Sequence, residues 1–159
     1  MKTLLTLLLL IPSLSLADVK KVNLICQNQF QMNEDEDVHT IYLSIQFYTE
    51  NLGEKDGVDV LRDVVRIHEA SSYKNFEKAN FLGNYEFTEN ASKIIIKDWG
   101  PNVYILNRKN LNLINQVNVM KEPFKEFHYS CEISDGDTVK IITDLATKER
   151  NKLEEGNLL

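Results

Sequence analysis

A row of polar side chains near the end of the sequence carries the residue types that could do acid–base chemistry. In KEFHYSCEIS (125–134), Glu126, His128, Ser130 and Glu132 alternate with apolar residues, so they share one face of an extended strand. Neighbours on such a face lie about 6–7 Å apart, a distance at which carboxylate, imidazole and hydroxyl groups can exchange protons. The row would suit a small hydrolase, but it is also typical of any strand with one face in water. We favour the second interpretation and predict no catalytic residues.

Two cysteines, Cys26 and Cys131, are the only thiols of the sequence, and we predict that they form a disulfide. In VNLIC (22–26) and in the strand just described, both thiols lie on the faces that carry apolar side chains. A nucleophilic thiol would need a nearby base, and the nearest histidine, His128, lies on the opposite strand face from Cys131. A bond between positions so far apart in the chain would remove much of the entropy of the unfolded state.

The first residues, MKTLLTLLLLIPSLSLA (1–17), follow the three-part pattern of a secretory signal peptide. A positive start and an apolar core precede Ser15 and Ala17, two small residues that favour cleavage before Asp18. The apolar core is shorter than the roughly 20 residues that span a bilayer, so we expect no stable membrane insertion. The pattern predicts a periplasmic or secreted mature chain, in a compartment where a disulfide persists.

The charge balance bears on possible partners. The full sequence has 18 Lys+Arg against 24 Asp+Glu, a formal net charge of −6. Loss of Lys2 with the signal peptide makes the mature chain more acidic still. Because nucleic acids are polyanions, this balance argues against nucleic acid as a partner, whereas it would steer a basic protein towards the chain.

No local pattern predicts a metal or a cofactor. The histidines at 39, 68 and 128 form no H-x-H or H-E-x-x-H motif. The acidic run Glu34–Asp37 lacks the regular ligand spacing of a calcium loop, and Ser134–Asp137 is explained by a turn and a helix cap. A P-loop and a G-x-S-x-G motif are absent from the sequence as well.

Short alternating segments in the rest of the mature chain predict a β-rich fold. The clearest strand is 38–48, and Asp56-Gly57 marks a turn. The segment 58–70 fits either a helix or a strand, and its β-branched residues favour a strand in its second half. Further strands are predicted at 22–26, 85–89, 93–99, 103–107, 110–115 and 125–134. Residues 18–159 are therefore expected to form a single domain, a small antiparallel barrel or sandwich.

The C-terminal segment has a different periodicity. Val139, Ile142, Ala146 and Leu153 recur at helical spacing after Asp137, which can cap a helix start. The sequence predicts a C-terminal α-helix at about 138–155 with a charged outer side.

Three aromatic residues are candidates for a ligand-binding surface. Tyr42 and Tyr48 fall on the polar side of the strand 38–48, and Trp99 is the last residue of the strand predicted at 93–99. Exposed aromatic rings commonly bind sugars, peptides or proteins. The alternative is that these rings pair across the sheet or lie under the helix.

The signal peptide, the early cysteine, WGPNVYILNRKNLNLI (99–114) and YSC (129–131) resemble small exported β-proteins of unknown function from AT-rich marine bacteria and their phages. That group has a Trp, an LNR-x-x-L-x-L hairpin and a terminal aromatic-x-Cys. The matching residues are Trp99, Leu106, Asn107, Arg108, Leu111, Leu113, Tyr129 and Cys131. The resemblance implies a shared β-structure and carries over no catalytic residues.

These observations favour an exported, non-enzymatic binding protein with an unknown small ligand or protein partner, held in the barrel or on its aromatic face. An acidic inhibitor of a basic secreted enzyme such as lysozyme is the first alternative, and a small hydrolase is the second. A deep apolar cavity would favour the first function. A protruding acidic loop without a cavity would favour an inhibitor. A cleft that contains His128 and a carboxylate of raised pKa would favour a hydrolase.

Overall fold

The computed structural model describes residues 22–30, 38–72, 76, 78–97, 102–117 and 125–156. The predicted signal peptide, the acidic run Glu34–Asp37 and Trp99 lie outside the described residues. Within them the chain forms eight strands and one helix: β1 Asn23–Phe30, β2 His39–Lys55, β3 Val58–Ser71, β4 Asn80–Glu89, β5 Lys93–Lys97, β6 Asn102–Asn107, β7 Asn112–Val117, β8 Lys125–Ile133 and α1 Thr138–Gly156.

The strands form a closed antiparallel barrel in which each strand pairs with the next one along the chain. The barrel closes where β1 pairs with β8, over the four residue pairs from Leu24↔Ile133 to Gln27↔Ser130. Cys26 and Cys131 are directly opposite each other in this register and form a disulfide. The predicted β-fold and the predicted disulfide are both confirmed, and the choice left open between barrel and sandwich is decided for the barrel.

Alternating side chains fill the barrel interior. In β2, the odd-numbered residues Ile41, Leu43, Ile45 and Phe47 point inward, as the period of two requires. Branched aliphatic side chains from β3, β5, β6 and β7 pack against them, together with the buried rings of Tyr85, Tyr104 and Tyr129. Each large apolar side chain that is fully buried in this way contributes about 1.5–3 kcal/mol.

The helix α1 packs on the outside of the barrel against β1, β2 and β3. Asp137 caps it, because its Oδ1 accepts the backbone N–H groups of Val139 and Lys140 at 3.1 Å each. Ile142 and Ala146 are fully buried in a second apolar cluster that includes Tyr42. The helix predicted at about 138–155 is thus confirmed.

A buried polar contact joins α1 to the barrel near the start of the helix. The hydroxyls of Ser44 and Thr138 lie 2.5 Å apart, and Gln46 Nε2 donates to Thr138 Oγ1 at 3.1 Å. Ser44 and Thr138 have no exposed surface, so this contact satisfies groups that cannot reach water.

The β2–β3 hairpin is the longest element pair. The ambiguous segment 58–70 is a strand throughout, and β2 extends to Lys55, well beyond the strand predicted at 38–48. Asp56 and Gly57 turn the chain with φ of 56° and 81°, the left-handed pair of a type I′ turn. The turn predicted at these two residues is confirmed.

No helix in the described ranges is long and apolar enough to cross a membrane.

Candidate functional site

The barrel interior leaves little space for a ligand between its described side chains. One gap lies at the barrel end that carries the β2–β3 hairpin and has a volume of about 10 Å³, which is roughly enough for one water molecule. It is lined by Val22, Leu24, Phe47, Ile94, Leu106, Arg108, Leu111 and Ile133. A cofactor-sized or drug-sized molecule needs about 300–1,000 Å³, so this gap would have to be rebuilt to hold one.

The polar row of β8 lies on the outer face of the barrel. His128 Nε2 is 3.5 Å from Glu126 Oε2, and the two side chains are 67% and 41% exposed. Gln116 Nε2 also donates to the other Glu126 oxygen at 2.8 Å. Because water competes freely with such a contact, the row has the character of a solvated strand face.

The three aromatic candidates have different surroundings. Tyr42 does lie on the outer face of β2, but it is only 4% exposed because α1 and Phe76 cover it, and burial raises the pKa of its hydroxyl, with Glu149 adding to the effect. Tyr42 is thus a residue of the barrel–helix interface, as the alternative interpretation expected. Tyr48 remains half-buried at the surface, with the guanidinium of Arg66 5.0 Å from its ring centre.

The three histidines are separate from one another in their contacts. His39 Nδ1 is hydrogen-bonded to Ser72 Oγ at 3.2 Å, while the ring of His68 packs tilted against Phe81, with 5.3 Å between the ring centres. Burial lowers the pKa of His68, and the charge of Arg66 lowers it further. Across the described residues, no three His, Cys, Asp or Glu side chains come together as a metal site would require.

The most distinctive feature of the surface is an arm formed by residues 48–63, the part of the β2–β3 hairpin that extends beyond the barrel. The pairing of β2 with β1 ends at Gln46↔Asn23, and that of β3 with β4 ends at Val64↔Glu86. Every residue from 51 to 63 is exposed. At about 3.3 Å per residue the arm reaches roughly 25 Å beyond these last pairs.

The arm exposes apolar side chains that a free ribbon would normally avoid. Leu52, Val58, Val60 and Leu61 are 52%, 67%, 39% and 60% exposed. A strand with an unpaired backbone edge and apolar side chains is a template for association with another chain. Natural proteins blunt such edges, so an unblunted one points to a binding surface.

The arm is acidic, with five carboxylates against the two cations Lys55 and Arg62. Arg62 is held at its base by Glu50 at 2.8 Å and Glu86 at 3.6 Å, and its hydrogen bond to Glu50 raises its pKa. Further out, Glu54 and Asp59 are directly opposite each other in the strand register. Like charges in that relation repel, and a cation from outside would relieve the repulsion.

A groove lies where the arm leaves the barrel, in the angle between β3 and β4. We call it the seam groove; its volume is about 410 Å³. Val64 and Ile95 contribute apolar side chains to it, and polar and charged residues surround them. It is lined by Arg62, Val64, Asn84, Tyr85, Glu86, Phe87, Thr88, Ile95 and Lys97.

Sequence reasoning missed both the arm and the seam groove. The two glycines and the turn signal of residues 51–57 indicate a turn at Asp56-Gly57, and they do not show that β2 continues as far as Lys55. The available signal was VDVL (58–61), where three apolar residues follow a turn among charged neighbours. That pattern suggests an exposed strand, but nothing in it shows that two neighbouring strands have separated.

The comparisons with known proteins add no name. No family model matches the chain, and no curated protein and no solved structure matches it either. The resemblance to exported proteins of marine bacteria stays a prediction.

Proposed function

We propose that the chain is an exported, non-enzymatic protein-binding module whose β2–β3 arm binds a basic secreted protein, as an inhibitor of an enzyme such as lysozyme would. The single observation that carries the proposal is the arm: an acidic ribbon with exposed apolar side chains that extends beyond a filled barrel. Export rests on the signal-peptide pattern and agrees with the disulfide, which persists outside reducing compartments.

The arm has the two properties that a binding surface for a basic protein needs. Its carboxylates would raise the association rate by attracting a cationic partner, and its exposed apolar residues would supply the buried area that slows dissociation. Two contacts brace the base of the arm: Thr49 Oγ1 donates to Asp63 Oδ1 across its two strands at 2.8 Å, and Arg62 lies 3.6 Å from Glu86 of β4.

The test compares two variants with the same change of net charge, both made in the mature chain that begins at Asp18. Glu54→Lys with Asp59→Lys reverses the opposed pair on the arm, and keeps two like charges opposite each other, so the fold is perturbed little. Glu154→Lys with Glu155→Lys makes an equal change at the exposed end of α1.

Binding to lysozyme is measured by calorimetry and by association kinetics at low and at physiological salt, with lysozyme activity as a second readout. We expect the arm variant to bind about tenfold more weakly, mainly through slower association, and to lose inhibition. The α1 variant should stay close to the unaltered chain. Equal losses in both variants would mean that net charge alone acts, and the arm would lose its proposed role.

A further inference from the structure

We propose that the partner binds by adding a β-strand to the free edge of β3, with alternate side chains placed in the seam groove. The inference rests on the proposed function and names its mode of recognition. The occupant is an extended segment of a basic protein, with basic residues on one face of the strand and apolar residues on the other.

The directions of the backbone groups follow from one hydrogen bond. The N–H of Phe47 donates to the carbonyl of Val22 at 3.0 Å, so the odd-numbered residues of β2 direct their N–H and C=O groups to β1. The even-numbered residues, including Glu50, then bond to β3. Since Glu50 is opposite Arg62, the even-numbered residues of β3 are the ones bonded to β2. Asp59, Leu61 and Asp63 therefore direct their backbone groups to the free edge.

An independent contact in β4, the strand next to β3, agrees with this assignment. The N–H of Asn90 donates to the carbonyl of Lys93, so the even-numbered residues of β4 bond to β5. Tyr85 and Phe87 thus direct their N–H and C=O groups towards β3. Val65 is opposite Tyr85 in that ladder, which ends outward at Val64↔Glu86. Beyond that pair, Asp59 and Leu61 of β3 direct their backbone groups to a side on which the described residues place no further strand pair.

The seam groove fits the side chains of an added strand. Such a strand would lie about 4.8 Å from β3 and continue its pleat, so every second side chain would fall on the outer face. On that face Val58 and Val60 precede Arg62 and Val64, and the last two line the groove together with Ile95. Apolar residues at alternate positions of the partner would pack there.

Charge favours a basic strand over a second copy of this chain. Asp59 and Asp63 share the other face of β3 with Leu61. In a two-fold symmetric antiparallel pair, opposed residues point to the same face, so odd positions would face odd positions. The odd positions from 57 to 63 are Gly, Asp, Leu and Asp, and none carries a cation. A basic strand would neutralise both aspartates, which a second copy cannot do.

The edge of β2 is a poorer template. One extra residue between Asn51 and Glu54 shifts its register against β3, and Gly53 has φ of 110° there. A bulge of this kind interrupts the row of donors and acceptors and blunts an edge. The edge of β3 is regular over the same stretch.

The experiment uses a capped, fluorescently labelled hexapeptide of sequence Lys-Val-Leu-Val-Lys-Val, whose lysines would lie opposite Asp63 and Asp59 in antiparallel register. Its affinity is measured by anisotropy for the unaltered mature chain, for Leu61→Pro and for Leu61→Ala. Proline removes one N–H from the free edge and leaves the β2–β3 ladder intact, since the Leu61 N–H points away from β2. Alanine keeps the N–H and removes the side chain, so it is the matched control.

We expect Leu61→Pro to weaken peptide binding by about tenfold and to exceed the effect of Leu61→Ala. Backbone hydrogen exchange should slow at Leu61 and Asp63 when the peptide is bound, with Arg62 already protected in the free chain. A peptide with glutamates in place of both lysines should not bind. A far-UV circular dichroism spectrum and unfolding midpoint equal to those of the unaltered chain show that the proline variant is folded.

Two outcomes would overturn the inference of strand addition without deciding the proposed function, which the charge variants test. If Leu61→Pro binds peptide and lysozyme as well as the unaltered chain, while Glu54→Lys/Asp59→Lys does not, the arm binds through its side chains and no strand is added. If the chain forms a concentration-dependent dimer that Leu61→Pro abolishes, the occupant of the edge is a second copy. Failure of the proposed function would differ, because the arm and α1 charge variants would then behave alike.

Discussion

Replacing both cysteines by alanine should destabilise the barrel strongly, because the disulfide joins its first and last strands. Cys26 and Cys131 are separated by 105 positions. In the chain-entropy account, a cross-link that closes a loop of that length stabilises the folded state by about 5 kcal/mol. The free energy of unfolding of ordinary domains is about 5–15 kcal/mol, so the disulfide contributes a large part of the total stability.

The position of the bond adds to its importance. The pairing of β1 with β8 consists of four residue pairs and is the contact that closes the barrel. Cys26 is completely buried, so alanine is a better replacement than serine, which would leave an unpaired hydroxyl in the core. Reduction of the unaltered chain tests the same bond without changing the packing.

Urea unfolding, followed by far-UV circular dichroism, measures the effect. We expect Cys26→Ala/Cys131→Ala and the reduced chain each to lose about 4–5 kcal/mol, with a melting temperature lower by about 15 °C. The m-value should rise, because the unfolded state without the cross-link exposes more surface. A decrease in the free energy of unfolding below about 2 kcal/mol in both preparations would refute the reasoning, since β1 and β8 would then pair stably without the disulfide.

Three further predictions concern α1 and the outer face. Thr138→Val should cost about 1–3 kcal/mol by leaving the buried Ser44 hydroxyl without its partner, and adding Ser44→Ala should restore part of that loss in a double-mutant cycle measured by urea unfolding. Ile142→Ala should cost about 2–5 kcal/mol in the same assay, because it empties a fully buried site under the helix, and a cost below 1 kcal/mol would show that the helix is not anchored there. The folded state holds the pKa of His68 below its usual 6.5, so the unfolded state takes up a proton first as the pH falls below 6.5, and stability is lost. His68→Gln should therefore flatten the fall of melting temperature between pH 7 and 5, while His128→Gln, altered at an exposed site, should follow the unaltered chain.

Alternation along the sequence was sufficient to predict strands of the barrel and the thiol pair, and helical spacing after Asp137 was sufficient to predict the helix. Alternation was sufficient because an inward residue such as Ile45 and a thiol such as Cys26 obey the same period of two. Closure could not be predicted, since alternation says which face a side chain takes and not which strands pair. Tyr42 shows the same limit: its face was predicted, but alternation could not decide between a ligand-binding ring and a ring that lies under the helix.

The arm could not be predicted from the sequence, for a different physical reason. A ribbon with both faces in water has no buried face, so its residues are under no pressure to alternate. The charged Asp59 and the apolar Leu61 share a face there. In a strand of the barrel, where one face is buried and the other is in water, such a mixed face would not be expected. The separation of β3 from β4 depends on backbone geometry over two strands, and one sequence contains no direct signal of it.

The covalent closure of the barrel also determines how the molecule responds to mechanical tension. Cys26 lies in the first strand and Cys131 in the last, so a pull on the two ends of the chain meets the sulfur–sulfur bond before it reaches β2 to β7. The helix can be peeled away while the strands between the cysteines carry no load. A partner held by the arm would therefore stay bound under a force that unravels the ends, and only reduction would release the remaining length of chain.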